Sequence, residues 1–454
     1  MMHLRPVDSP VAHGSSAAVL LLALLVSAGC TDIETVSSER SPLPQPGKAD
    51  NQWRSEQEIA QDLPSDLEVP LLDEEPAIAC AEATSQSYYY QFLDNLCEDK
   101  VLPSVQDRDG ACPVSDDSPL MTLTTGQQAL YRPSGEPIDW DTSSLQGLVP
   151  TDMHIAVILI KRIGGVPHYR YLSTGSHDTP HQPWSTSKFL AAANAAVELR
   201  WQSNQAVGLT ASVDGHRLGD LVTSLVAYDK DPFTSNSLGA YFHDMGGRGN
   251  ANDLIHQWWL GRPETETFGG NYGAAPPSLG STFVEESGAS VTLKPQIFGN
   301  YKNHLSVYTL AEALKRLVLH REEHAQRLPL IQWEDIKVML YGAENSHKGQ
   351  WGGMSADTAA YLHAAHDMDY IEARSQGQWN VFSKLGLGTK AQFGHVGYAC
   401  WPVLDSEGDS VRGQGREFVI AAHMPQGSGS WAERDREMAR VYRRIVTRIV
   451  EGGL

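Results

Sequence analysis

HQPWSTSKFLAAANAAV, residues 181–197, holds a serine, a lysine three positions on, and an alanine-rich apolar run. Pro183-Trp184 ahead of the run mark a helix start, and the run predicts a buried helix to about Arg200. Ser185 then sits at the helix N-terminus, and positions i and i+3 share a face, so the Lys188 amine is expected at the Ser185 hydroxyl. A serine needs such a base to become a nucleophile, and lysine serves only when burial or nearby positive charge lowers its pKa. The backbone amides of the helix start favour a developing oxyanion. The plain alternative is that Ser185 is a helix cap and the spacing is chance.

The flanking segments give this stretch a setting. HIAVILIK (154–161) is a continuous β-branched run, Gly164-Gly165 a turn, and HYRYLSTG (168–175) an alternating partner, together a buried hairpin. Residues 201–375 read mostly as helix, most clearly TLAEALKRLVLHREEH (309–324). Strands return at VFSKLGLGT (381–389), HVGYACWPV (395–403) and EFVIAAHMP (417–425), and an amphipathic helix runs from Trp431 to Val450. The expected class is α+β: one antiparallel sheet with strands from both ends of this region, flanked by helices, plus a helical subdomain.

SxxK followed by FLAAANAAV after a hairpin closely resembles the first motif of class A β-lactamases and penicillin-binding proteins. The resemblance extends to two further elements and covers about residues 150–454. In PFTSNSLGAYFHDMGG (232–247), Thr234-Ser235-Asn236 stands where the family carries Ser-Asp-Asn. The resemblance implies that the Thr234 hydroxyl passes a proton to the leaving nitrogen and that Asn236 holds the substrate amide. In Ser383-Lys384-Leu385-Gly386-Leu387, Lys384 stands for the family's lysine on the cleft strand, there to supply positive potential to a substrate carboxylate. Gly386 would let substrate backbone approach, and the N–H groups of Leu387 and Ser185 would form the oxyanion hole. Leu385 replaces the family's hydroxyl, which removes one carboxylate hydrogen bond. The family's ExxLN element is absent; Glu264 and Glu266 lie nearest its place and are the candidates for the base that frees the acylated serine.

The implied function is a serine hydrolase working through an acyl-enzyme on an amide or β-lactam, without metal or cofactor. Without a deacylation base, a D-alanyl-D-alanine carboxypeptidase-type enzyme acting on peptidoglycan is the alternative. The changed second and third motifs also allow a non-catalytic cell-envelope lipoprotein of this fold. A more remote alternative is a zinc peptidase, because His320-Arg-Glu-Glu-His324 is literally H-x-x-E-H; His363 and His366 add a second pair. A solvated end to an amphipathic helix explains HREEH equally. GxSxG, a P-loop, GxGxxG and CxxC are all absent.

The rest of the chain bears on location. Ala17 to Ala28 reads AAVLLLALLVSA, a length suited to a signal-peptide core rather than a membrane span. It leads through Gly29 to Cys30, which resembles a bacterial lipobox, so the chain is expected to be exported and lipid-anchored at Cys30 to the cell envelope. Residues 1–29 are then the signal peptide, 30–75 a solvated tether rich in Ser, Pro, Asp and Glu, 76–150 a Cys-rich extension, and 151–454 the catalytic domain. Cys80, Cys97, Cys112 and Cys400 form an even set that favours disulfides, one of the first three reaching Cys400. The formal net charge of −20 over 454 residues argues against nucleic acid as a partner. The expected partners are a small-molecule or peptidoglycan-derived substrate and, through the anchor, a membrane; nothing calls for an oligomer, so a monomer is expected.

Overall fold

The computed structural model describes residues 93–95, 100–229, 232–294, 302–427 and 429–454. The signal peptide, the tether, Cys30, Cys80 and Cys97 fall outside these residues.

One sheet organises the described chain. Its strands are β1 (Arg132–Pro133), β2 (Trp140–Asp141), β3 (His154–Ile163), β4 (Val166–Ser173), β5 (Asn380–Gly388), β6 (Gln392–Trp401) and β7 (Arg416–Met424). The spatial order is β5-β6-β7-β3-β4-β1, with β2 also on β4. Every pairing is antiparallel except β2 with β4. The late strand β7 thus pairs with the early strand β3, as expected of a sheet built from both ends of the region. Gly164 and Gly165 both have positive φ and close the β3–β4 hairpin in two residues, a turn that matches strand twist. The 76–150 segment contributes β1 and β2, so it continues the sheet. Cys112 bonds Cys400 on β6, which settles which early cysteine reaches it.

Period-2 alternation splits the apolar residues between two cores. Ile155, Val157 and Leu159 of β3 point to one face, with Phe418 and Ile420 of β7. Ala156, Ile158 and Ile160 point to the other, with Val419 and Ala421. The second face carries α1 (Lys188–Gln202), α2 (Leu218–Ala227), α3 (Ser235–Gly246), α4 (Val307–Val318) and α5 (Trp333–Tyr341). The first is covered by α6 (Trp431–Val450), which opens with a Ser430/Glu433 capping box. Helix α1 is buried on every side as far as Arg200, which its small residues permit: a Cβ on Gly246 of α3 would meet the Asn194 side chain at 2.2 Å. The helical region also contains a small four-stranded sheet (Ser212–Val213, His216–Arg217, Thr282–Val284, Ser290–Thr292) that helical periodicity does not predict.

Helix α4 ends at Val318, not at residue 324. Arg327 donates to the carbonyls of His320 and Arg321 and holds 319–322 in turns. His320 and His324 are therefore not one turn apart on a helix, and the geometry the zinc reading required is not formed. Among the described residues no group of three His, Cys, Asp or Glu is arranged to hold a metal.

Candidate active site

Ser185 lies in a 3₁₀ turn, Trp184–Ser187, and α1 begins only at Lys188. The helix start is one turn later than the spacing predicted. Trp184 has φ +52°, the left-handed region, where a bulky side chain is strained by on the order of 1–3 kcal/mol. Its indole is pinned: Nε1 donates to Gln392 Oε1 at 2.8 Å, and the ring lies where a Cβ on Gly388 would stand, 1.9 Å from Cε2. Ser187 Oγ closes the turn on the Trp184 carbonyl at 3.1 Å. Ser185 itself is 9% exposed, and its hydroxyl makes no hydrogen bond among the described residues.

Lys188 is fully buried. Its Nζ donates to Ser235 Oγ at 2.8 Å and Asn236 Oδ1 at 2.6 Å, and stands 5.2 Å and 5.5 Å from the ring centres of Tyr228 and Tyr272. The amine thus turns to the start of α3, where the i,i+3 spacing predicted the Ser185 hydroxyl. The Ser235 hydroxyl donates to the Leu225 carbonyl at 2.6 Å, so it accepts from Lys188 on a lone pair. Asn236 meets Lys188 through its oxygen, which leaves its NH₂ for a ligand. Thr234, expected to relay the proton, instead caps α3: its Oγ1 accepts from Ser237 N at 3.2 Å. The hydroxyl beside the lysine is Ser235, one residue later.

Strand β5 is the open edge of the sheet, and it meets the Ser185 turn at glycines. A Cβ on Gly386 would lie 2.2 Å from Thr186 Oγ1 and 2.7 Å from both Pro183 O and Thr186 N. Its missing side chain makes room for the turn rather than for substrate, which corrects the expected role. Gly394 on β6 serves the same contact, 2.6 Å from Thr186 Oγ1. Leu385 points to the opposite face and is 1% exposed in the α6 core, so its side chain cannot touch a ligand in front of Ser185. Its backbone is also engaged: N–H donates to Asp357 Oδ1 at 3.2 Å, and the carbonyl accepts from Tyr228 OH at 2.7 Å. Leu387 is two residues on, so its N–H faces the same way, off the open edge beside the Gly386–Thr186 contact.

Lys384 is fully buried on the Ser185 side of the sheet. Its Nζ donates to the carbonyls of Val226 at 3.2 Å and Leu385 at 3.0 Å, lies 3.7 Å above the Tyr228 ring centre, and faces Asp357 at 3.7 Å. Burial pulls its pKa down to about 7, with the Asp357 carboxylate opposing. An amine so enclosed acts on a substrate by its field alone, and the expected contact with a substrate carboxylate is not what this placement offers. Tyr228 joins the two lysines: its ring faces both amines and its hydroxyl holds β5.

The two candidate bases are placed elsewhere. Glu266 is fully buried, and its carboxylate accepts from Ser306 N (2.9 Å), Ser306 Oγ (3.1 Å), Thr309 Oγ1 (2.5 Å) and Arg262 (2.9 Å). It ties its loop to the start of α4. Glu264 is exposed on the turn before it. Neither carboxylate shares a hydrogen bond with Ser185, Lys188 or Ser235 among the described residues.

No protein-family description and no curated protein matches the chain. Solved structures do. A W229D mutant of the last common ancestor of Gram-negative bacteria class A β-lactamase is 13% identical, with 67% of this chain and 97% of that chain covered and a TM-score of 0.41. The class A β-lactamase from Mycobacterium abscessus is 14% identical, with 67% and 96% covered and a TM-score of 0.39. PBP-A is 13% identical, with 69% and 97% covered and a TM-score of 0.39.

Proposed function

We propose that the protein is a serine hydrolase that forms an acyl-enzyme at Ser185 on an amide or β-lactam carbonyl. One observation carries this reading: a serine presented by a strained turn, backed by a buried lysine that is bonded to a second serine and an asparagine, at the open edge of a strand. Strained turns and buried ionisable groups concentrate at functional sites.

In the proposed chemistry Ser185 Oγ attacks the carbonyl carbon and its proton goes to Lys188 Nζ. The oxyanion is met by the N–H groups of Ser185 and Leu387. Lys188 returns the proton to the leaving nitrogen through Ser235, whose O–H turns from the Leu225 carbonyl to donate it, the C–N bond breaks, and the acyl group stays on Ser185. Ser235 takes the relay role first given to Thr234, and Asn236 NH₂ binds the substrate amide. Lys384 favours an anionic substrate through its field.

Among the described residues neither candidate base, Glu264 nor Glu266, is in contact with the site. That favours slow deacylation, in the manner of a D-alanyl-D-alanine carboxypeptidase-type enzyme on peptidoglycan-derived substrates, over rapid β-lactam turnover. The proposed setting is the cell envelope, with the chain exported and anchored by lipid at Cys30. The test is intact-mass spectrometry after a fluorescent penicillin or a fluorophosphonate, on wild type and Ser185→Ala. A lasting adduct in wild type alone supports the reading; no adduct with either probe leaves a non-catalytic envelope protein.

A further inference from the structure

The third of the sequence elements is held by a residue that no motif contains. Asp357 follows a 3₁₀ turn (Gly353–Ala356) and is fully buried. Its carboxylate touches three successive residues of β5: it accepts from Ser383 Oγ at 2.8 Å and Leu385 N at 3.2 Å, and faces Lys384 Nζ at 3.7 Å. A strand's side chains alternate, so one carboxylate can reach all three only by lying against the strand edge and using both main-chain and side-chain donors. It therefore takes up edge donors that would otherwise stand unpaired beside Gly386 and Leu387.

We infer that Asp357 is a positioning residue for the Ser185 site, clamping the edge strand and anchoring the Lys384 amine. The inference rests on the serine-hydrolase reading for its catalytic consequence but not for the clamp itself. The charges around Lys384 come from several elements. Tyr228 faces it from the end of α2. His395 on β6 places Nε2 3.9 Å from Asp357, and its Nδ1 shares a hydrogen bond with Tyr442 OH at 2.7 Å. Lys100 donates to the carbonyls of Ser355 and Asp357 at 2.7 Å and 2.5 Å. Behind them stand His363, beside Lys100 and His395, and Tyr361, bonded to Asp435 at 2.6 Å. Burial lowers the pKa of His395, His363 and Lys100, and Asp357 opposes that shift at His395 and Lys100 as it does at Lys384.

Asp357→Asn keeps the shape and removes the charge. In full-length protein with ¹³Cε-labelled lysine, Lys384→Met identifies the Lys384 signal, and its titration is followed with and without Asp357→Asn. The midpoint is expected to fall by about one unit or more. The alkaline limb of Ser185 labelling by the fluorescent penicillin, whose carboxylate the Lys384 charge attracts, should move down by the same amount, about a tenfold loss per unit above the new midpoint. Asp357→Glu, which restores charge, should return both toward wild type. An unmoved Lys384 midpoint, or a loss of labelling equal at every pH, overturns the inference. If wild type is never labelled, the hydrolase reading fails alone, and the lysine titration still decides the clamp.

Discussion

Gly386→Ala is the smallest change that reaches the site. The added Cβ would stand 2.7 Å from Pro183 O and from Thr186 N, and 2.2 Å from Thr186 Oγ1. Ordinary contact is about 3.5 Å, so turn and strand must separate by roughly 0.8 Å even if the Thr186 hydroxyl rotates away. Gly386 has no positive φ, so alanine adds no backbone strain, and it gains roughly 0.5–1 kcal/mol from reduced chain entropy. Overpacking of this kind costs about 1–3 kcal/mol, and the net is a loss of about 1–2 kcal/mol. The displaced element carries Ser185, and a shift approaching 1 Å costs on the order of 100-fold in rate. Denaturant unfolding and the rate of Ser185 labelling measure the two terms. Thr186→Ala in the same background should recover part of the stability, since it removes the closest contact but not the two backbone ones. If Gly386→Ala were neutral in both assays, the turn would not be seated on this strand as described.

Other outcomes follow from the same packing. The Cys112–Cys400 bond spans 288 residues, and loop entropy puts its loss at about 4–6 kcal/mol, so reductant or Cys400→Ser should sharply lower the unfolding midpoint; an unchanged midpoint would contradict its role. Arg200 pairs with Asp335 through two bonds of 2.8 Å and 2.9 Å in the core, so Arg200→Met should cost about 3–5 kcal/mol, and adding Asp335→Leu should recover little of it, because Asp335 also accepts from Leu209 N at 2.8 Å and Gln332 N at 3.0 Å. Buried His243 and His395 are held down to about 4, and His423 to about 3, each chiefly by desolvation. Their unfolded value is about 6.5, so the unfolded chain binds the extra protons and stability is lost as pH falls from about 6.5 towards 4. At pH 5 the loss is on the order of 1–2 kcal/mol per histidine, and proton uptake on unfolding should approach one for each; no uptake would mean these rings are not buried as placed.

Much of this arrangement is legible in the residues, because alternation and helical period act locally. The β3–β4 hairpin, the three late strands and α6 follow from apolar spacing and from paired glycines whose φ only glycine adopts freely. What escapes is set by contacts distant in sequence. The motif points to Thr234 as the hydroxyl, but Thr234 becomes the cap of α3 and Ser235 turns inward to Lys188. HREEH continues the helical period of α4, but Arg327 draws the following carbonyls out of the helix. Gly386 reads as an opening for substrate, and only the seating of Thr186 shows what fills it. Asp357 lies 26 and 28 residues before Ser383 and Leu385, whose donors it accepts from, inside a stretch with no periodic signal.

The account stands on Ser185 becoming acylated. Intact mass of wild type and Ser185→Ala after incubation with a fluorophosphonate and a fluorescent penicillin tests it directly, with peptide mapping of any adduct. The predicted result is a single added acyl or phosphonyl group on Ser185, absent from the alanine variant and slow to leave. An unmodified wild-type mass with both reagents, or an adduct mapped to another residue, would contradict it.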